Sequence, residues 1–220
     1  MITFTTKQGI KDHIIKHKAQ NKTIGFVPTM GALHEGHLSL VKRAQKKNDV
    51  VVVSIFVNPT QFNNPEDLAN YPNTIAADKN LLEKVNCDVL FLPSVKEMYA
   101  DHVEAKSFDF EGLDTKMEGK YRSGHFNGVG TIVKQLFDTV HPDRAYFGQK
   151  DFQQLMIIKK LVKIERLDVK VKGCPILREE NGLAMSSRNL RLTKEQRKEA
   201  DFIYKTLRKV KKKFSHQSLE

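Results

Sequence analysis

The chain has 220 residues, of which 40% are hydrophobic and 29% charged, and its formal net charge at pH 7 is +11. This length and composition are typical of one globular α/β domain with at most an appendage. No apolar run approaches the ~20 residues of a membrane span and no basic-then-apolar leader opens the chain, so we expect a soluble cytoplasmic protein.

The excess of positive charge is concentrated towards the C-terminus. Residues 189–220 hold ten Lys or Arg and four Asp or Glu, a net of +6, which leaves +5 for the preceding residues. A basic run such as 208–213 is usually a solvated helix face, and no RNA-recognition, KH or zinc-finger pattern accompanies it. We therefore expect no nucleic acid and no membrane among the partners.

Strand-like and helix-like segments alternate along the chain. Strands are predicted at Ile24–Val27, Val50–Val57, Asp88–Leu92, Arg144–Phe147 and Val169–Ile176, and helices at 37–48, 74–85, 127–139 and 151–166. The second strand is apolar apart from Ser54, as expected of a parallel strand covered on both faces. This alternation predicts an α/β fold with a doubly wound parallel sheet. A capping box at Thr193 and Gln196 predicts a further, basic helix.

The most informative segment follows the first predicted strand. Residues 28–37 read PTMGALHEGH and lead into an amphipathic helix. Such a turn should offer unpaired backbone N–H groups and the positive end of a helix dipole to an anion. His34 and His37 lie on one side of the first helical turn, where both could donate hydrogen bonds to triphosphate oxygens. Their spacing excludes a zinc-protease motif, and the usual glycine-rich nucleotide loops do not occur, which leaves the His-x-Gly-His signature of nucleotidyl transferases.

Three more polar, turn-rich segments follow predicted strands, at 58–63, 148–154 and 177–189. In doubly wound sheets, ligands bind beyond the carboxyl ends of the strands. Each segment alone could be an ordinary loop, because Asn-Pro and Asn-Gly are common turn formers. Their convergence with the histidine turn predicts a binding site at this edge of the sheet.

Five sequence blocks, in this order, resemble the pantothenate synthetase family, whose members are ATP-dependent ligases. The blocks are 26–37 (FVPTMGALHEGH), 53–62 (VSIFVNPTQF), 124–126 (GHF), 146–155 (YFGQKDFQQL) and 186–189 (SSRN). The resemblance implies a Rossmann-like nucleotidyl transferase fold and a homodimer. It also implies a two-step reaction: the pantoate carboxylate attacks the α-phosphorus of ATP, and β-alanine then attacks the pantoyl adenylate and releases AMP.

The resemblance further implies roles for individual residues. Catalytic roles fall to His34, His37, Lys150 and Arg188. The ATP contacts are Met30, Gly31, Ala32, Leu33, His34, Glu35, Gly36, His37, Gly148, Gln149, Lys150, Asp151, Leu177, Met185, Ser186, Ser187 and Arg188. Gln61 and Gln154 would bind pantoate, because a primary amide both donates to and accepts from oxygen atoms. Mg²⁺ would bridge the phosphates, and Asp78 is either a contact of this ion or a solvated helix residue.

The chain departs from the family pattern in two loops and in length. Ser123 and Ala100 occupy positions where the family usually has proline. The resemblance divides the chain into a catalytic domain at 1–188 and, at 189–220, the start of a smaller C-terminal lid domain that is truncated.

Two other functions remain open from the sequence. One is a nucleotidyl transferase that stops at the nucleotide–substrate adduct, against which Gln61 and Gln154 argue in their family contexts. The other is an inactive nucleotide-binding or RNA-associated protein, which the basic tail and the short lid suggest. Release of AMP that depends on β-alanine would occur only with the ligase.

Overall fold

The computed structural model describes residues 1–214, which contain one six-stranded sheet. Its strands are β1 (Ile2–Phe4), β2 (Ile24–Thr29), β3 (Val50–Ile55), β4 (Val89–Phe91), β5 (Arg144–Gly148) and β6 (Lys170–Cys174). The strand order is β1-β4-β3-β2-β5-β6, and neighbouring strands are parallel throughout. The predicted doubly wound parallel sheet is confirmed.

Helices connect the strands and cover both faces of the sheet. They are α1 (Lys7–Lys18), α2 (Glu35–Gln45), α3 (Pro65–Ala69), α4 (Ile75–Lys84), α5 (Val95–Tyr99), α6 (Met117–Tyr121), α7 (His125–Val140), α8 (Phe152–Ile164), α9 (Lys194–Glu199) and α10 (Asp201–Phe214). Short 3-10 turns occur at Pro59–Gln61, Leu113–Thr115, Gln149–Asp151 and Ser187–Arg191. Within residues 1–214, no helix combines the length and apolar character that crossing a bilayer requires.

The core consists of two apolar clusters, one on each face of the sheet. Successive side chains of β2 point to opposite faces, so Phe26 packs in one cluster and Val27 in the other. The cluster around Phe26 includes buried side chains of α1, α7 and α8, and the cluster around Val27 includes those of α2 and α4. Because both faces are covered, the carboxyl edge of the sheet remains the open side for a ligand.

The sequence missed two elements at the start of the chain. Strand β1 is only three residues long and pairs at the sheet edge with β4, so it carries little periodic signal. Helix α1 buries only Ile10 and Ile14, which is a weak helical pattern. The other strands and the main helices lie where the sequence predicted them, with ends that differ by a few residues.

The C-terminal part of the described chain contains α9 and α10. The predicted capping box is present, with Thr193 and Gln196 bonded to each other's backbone N–H groups. Helix α10 exposes a set of large apolar side chains, Phe202, Ile203, Leu207, Val210 and Phe214. The assignment of residues from 189 onwards to a lid domain stays a prediction.

Candidate active site

A cavity of about 250 Å³ opens at the carboxyl edge of the sheet. Its walls come from the segments after β2, β3, β5 and β6, as the sequence predicted. Predicted site residues in its lining are Met30, His34, Gly36, His37, Gln61, Gly148, Lys150, Asp151, Gln154, Leu177, Met185, Ser186, Ser187 and Arg188. The lining does not include Gly31, Ala32, Leu33, Glu35, Gln149 or Asp78.

The two histidines of the first turn are locked to the helix that they begin. His34 is the N-cap of α2, and its Nδ1 accepts from the Gly36 backbone N–H at 3.1 Å. The Nδ1 of His37 accepts from the His34 backbone N–H at 3.4 Å. Since each Nδ1 is an acceptor, each neutral ring carries its hydrogen on Nε2. Both side chains therefore provide an Nε2–H donor, with their ring centroids 4.1 Å apart.

Burial keeps both rings neutral. Desolvation, reinforced by His34 and Lys150, lowers the pKa of His37 to about 3. Desolvation also lowers the pKa of His34, with Lys150 as the next cause and nearby carboxylates opposing it. Neutral imidazoles donate hydrogen bonds without the cost of burying two like charges. Gly36 is required here, because a Cβ at this position would lie 2.7 Å from the His34 ring.

The environment of Asp78 decides against one of the two roles expected from the sequence. Its side chain is in the first turn of α4 and is 2% exposed, so it is not a solvated helix residue. Its two oxygens accept from the backbone N–H groups of Ala32, at 3.0 Å, and Leu33, at 2.8 Å. Thr74 donates to the same carboxylate at 3.2 Å.

These contacts correct the expectation of unpaired N–H groups in the turn after β2. The N–H groups of Ala32 and Leu33 are bonded to Asp78, and that of Gly36 is bonded to His34. Within this turn, the side-chain donors in the cavity lining are the imidazoles of His34 and His37. Asp78 instead fixes a loop in which Gly31 and Ala32 have positive φ angles of 83° and 48°.

The amide of Gln61 is oriented by a buried hydrogen-bond chain. Tyr99 donates its hydroxyl to Asn58 Oδ1 at 2.5 Å, and Asn58 Nδ2 donates to Gln61 Oε1 at 3.0 Å. A further bond from Asn58 Nδ2 to the Gly128 carbonyl, at 3.1 Å, fixes the same orientation. With its oxygen occupied, Gln61 has its NH₂ group free to donate to a ligand in the cavity.

Two further side chains hold the backbone of Gln61 in place. Its carbonyl accepts from His125 Nδ1 at 2.7 Å and from an Arg122 guanidinium nitrogen at 3.1 Å. The other terminal nitrogen of Arg122 pairs with Glu118 at 2.5 Å. Burial lowers the pKa of His125, although its bond to the Gln61 carbonyl acts in the opposite direction. His125 is therefore a neutral structural donor at pH 7.

The cationic side chains of Lys150 and Arg188 lie in the same cavity lining as the histidines. Lys150 pairs with Asp151 at 2.6 Å and lies close enough to depress the pKa of both His34 and His37. Arg188 pairs with Asp67 at 3.3 Å. Ser186 caps the turn that carries Arg188, because its Oγ accepts from the Arg188 N–H. Each ion pair is partly exposed, so an incoming phosphate can compete for the cation.

The sequence analysis gave no role to several polar residues of the lining, among them Asn58, Arg122 and His125, or to Tyr99, which contacts Asn58 from outside the lining. Asn58 lies in the polar segment after β3, where the signal was present but was assigned to Gln61 alone. His125 belongs to the GHF block, to which no role was given. Tyr99 is distant in sequence and its contact with Asn58 is visible only in the fold.

The family model for pantoate–β-alanine ligase matches residues 2–220. The chain belongs to this family. Its relatives include the pantothenate synthetases of Christiangramia forsetii, 56% identical over all of this chain and 78% of the relative, and Flavobacterium psychrophilum, 53% identical over 99% of this chain and 78% of the relative. The resemblance found in the sequence is confirmed, and so is the predicted class of enzyme, a ligase for pantoate and β-alanine.

Solved structures of the ligase family have the same fold. Pantothenate synthetase from Thermus thermophilus aligns with a TM-score of 0.87 and 44% identity over 93% of this chain and 72% of its own. The ligase from Francisella tularensis aligns with a TM-score of 0.88 and 45% identity over 94% of this chain and 79% of its own. That crystal structure is of a complex with "beta-gamma ATP" and β-alanine.

Proposed function

We propose that this chain condenses pantoate with β-alanine in two steps, with ATP as co-substrate and pantoyl adenylate as the intermediate. The observation that carries the proposal is the composition of one cavity. The space at the carboxyl edge of the sheet is lined by two neutral imidazoles with Nε2–H donors, by three cations, Arg122, Lys150 and Arg188, and by two glutamine amides. The ATP complex of the Francisella tularensis ligase supports ATP as the nucleotide.

In the first step, a pantoate carboxylate oxygen attacks the α-phosphorus and pyrophosphate leaves. His34 and His37 donate to phosphate oxygens on which negative charge builds, and Lys150 neutralises charge between the α-phosphate and the carboxylate. Ser186, Ser187 and Arg188 hold the departing phosphates. In the second step, the β-alanine amine attacks the acyl carbon and AMP leaves.

The remaining lining residues bind the two ends of the adenylate. Gln61 and Gln154 bind the hydroxyl and carboxylate oxygens of pantoate. The adenosine contacts are Met30, Gly148, Asp151, Leu177 and Met185. The pre-set amide of Gln61 supports this division, because its donor direction is fixed before the substrate arrives.

Magnesium would be held by the ATP phosphates and water more than by the protein. No cluster of three His, Cys, Asp or Glu side chains suited to a metal occurs among residues 1–214, and the Asp78 carboxylate already accepts three hydrogen bonds. Mg²⁺ usually keeps several waters and binds through substrate phosphates and few carboxylates, which fits this arrangement. Bound in that way, the ion would neutralise phosphate charge.

Two half-reaction assays test the proposal. We expect exchange of labelled pyrophosphate into ATP that requires pantoate and proceeds without β-alanine. We also expect AMP to accumulate in proportion to pantothenate once β-alanine is added. Exchange without any β-alanine-dependent AMP would instead indicate a transferase that stops at the adduct. Absence of both activities, with ATP binding retained, would indicate an inactive nucleotide-binding protein.

The assembly proposed with this function is a homodimer, which rests on the family resemblance. Sedimentation velocity at several protein concentrations tests it. A single species at the monomer mass across that range would contradict the proposal.

A further inference from the structure

A second pair of histidines lies on α1, outside the lining of the active-site cavity. His13 and His17 are one helical turn apart, and their Nε2 atoms are 3.1 Å from each other. Their ring centroids are 4.6 Å apart and the ring planes are inclined by 80°. The reaction described above uses neither residue.

The ring geometry is compatible with a shared ligand point. In a collinear N–H···N bond, the nitrogen separation and both ring radii would add, so the centroids would be about 5.4 Å apart. The observed 4.6 Å shows that the two rings and their Nε2 atoms are not collinear. Two nitrogens 3.1 Å apart, each about 2.05 Å from a common metal ion, subtend an angle of about 98°. This lies between the right angle of octahedral or square-planar sites and the tetrahedral angle.

One further feature concerns the second ring nitrogen of His17. The buried Nδ1 of His17 has no hydrogen-bond partner among residues 1–214. The contact of this ring with His13 runs through Nε2, the nitrogen that the site would use.

We propose that His13 and His17 form a two-histidine site for a divalent transition-metal ion, through the Nε2 atoms of both rings. Neutral imidazole suits zinc, nickel and copper, whereas magnesium and calcium prefer oxygen ligands. No group of three metal-binding side chains occurs among the described residues, so water completes the coordination. Copper binds more tightly than zinc or nickel at such a site.

Some charges near the two histidines favour a bound cation and others oppose it. The histidines lie in the C-terminal half of α1, where the helix dipole favours a cation. Lys16 and Lys18 lie in the same last turn and oppose it. The site is therefore moderate in affinity.

Calorimetric titration of the full chain, without a polyhistidine tag, with Ni²⁺ and Zn²⁺ at neutral pH tests the site. Because loss of even an outer partner of a metal ligand costs about 10–100-fold in affinity, His13→Ala or His17→Ala should weaken binding at least about tenfold. Combining His17→Ala with Lys18→His keeps two histidines but places them about 140° apart around the helix. This double variant should also lose the site.

Two controls separate this site from other histidines. His102→Ala, in the exposed loop after α5, should bind the metal as the unmodified chain does. A variant lacking His34 and His37 should retain the α1 site, even if its ligase activity is lost. Equal affinity for the unmodified chain and for His13→Ala, or no heat of binding up to about 1 mM metal, would overturn the proposal. The pair would then be a hydrogen-bonded contact only.

Discussion

His34 and His37 act as donors because each ring uses its other nitrogen to cap α2. A hydrogen bond to Nδ1 selects the Nε2–H form of each ring, and burial keeps that form neutral at pH 7. The residue type thus provides a cap and a fixed donor in one side chain. A serine or threonine, the usual residue at a cap, would satisfy the helix but would not add an imidazole donor.

Substituting His37 tests this donor. We expect His37→Ala to slow pantoyl adenylate formation about 10²–10³-fold, the loss that follows removal of one preorganised donor to a developing charge. His37→Gln retains an N–H donor and should recover part of the rate. Rapid-quench single turnover with ATP and pantoate measures this step directly. A rate for His37→Ala within a factor of two of the original would show that the donor is not used.

Substituting Tyr99 tests the chain of hydrogen bonds that orients Gln61. In Tyr99→Phe, Asn58 loses a buried donor, so its amide is held less firmly, by its remaining contacts such as that to the Gly128 carbonyl. Such a loss typically costs about 1–3 kcal/mol. We expect the KM for pantoate to rise several-fold while the Kd for ATP, measured without pantoate, stays unchanged. The matched control is Tyr121→Phe, since Tyr121 is exposed, and it should leave both values unaltered.

At the scale of elements, Asp78 joins the start of α4 to the loop between β2 and α2. The loop has two consecutive residues with positive φ, and Asp78 bonds the two N–H groups that follow Gly31. Asp78 of helix α4, which does not line the cavity, therefore holds the loop that positions both histidines. This arrangement explains why a buried carboxylate lies so close to the histidine turn without lining the cavity.

The substitution Asp78→Asn distinguishes a carboxylate that supports the loop from one that contacts the metal ion. The amide keeps the size of the side chain but presents an NH₂ group to one of two N–H donors, so we expect a loss of about 1–3 kcal/mol in the free energy of unfolding by urea. Adenylate formation should fall by a similar factor at every Mg²⁺ concentration. If Asp78 instead contacts the ion, excess Mg²⁺ would restore the rate and stability would change little.

At the scale of the whole molecule, the sequence predicted the sheet and the edge that carries the site. The apolar runs of β2 and β3 and the polar segments after them are local signals, and the fold rule for parallel sheets places them together. Three features could not be read in this way. Asp78 accepts hydrogen bonds from a loop more than 40 residues away in sequence. Tyr99 donates to Asn58, which is 41 residues away. The hydrogen bonds of the N–H groups in the histidine turn depend on both the fold and the ring orientations.

The depressed histidine pKa values also affect the stability of the whole fold. In the unfolded chain His37 has an ordinary pKa near 6.5, whereas in the folded chain its pKa is about 3. Between these values the unfolded state binds more protons than the folded state. The contribution of His37 to the free energy of unfolding is therefore fully present above about pH 6.5 and is lost as the pH falls towards 3. The slope from one such group is at most about 1.4 kcal/mol per pH unit.

We therefore expect the free energy of unfolding of His37→Gln to fall less steeply as the pH is lowered, because glutamine does not titrate. Urea unfolding of both proteins at intervals between pH 7 and pH 4 measures the difference. The variant should be less stable at pH 7, where it lacks the original cap contact, and should approach or overtake the unmodified chain as the pH falls. His102→Ala, which removes an exposed histidine, should keep the original slope. Parallel curves for His37→Gln and the unmodified chain would show that His37 is protonated as readily in the fold as outside it.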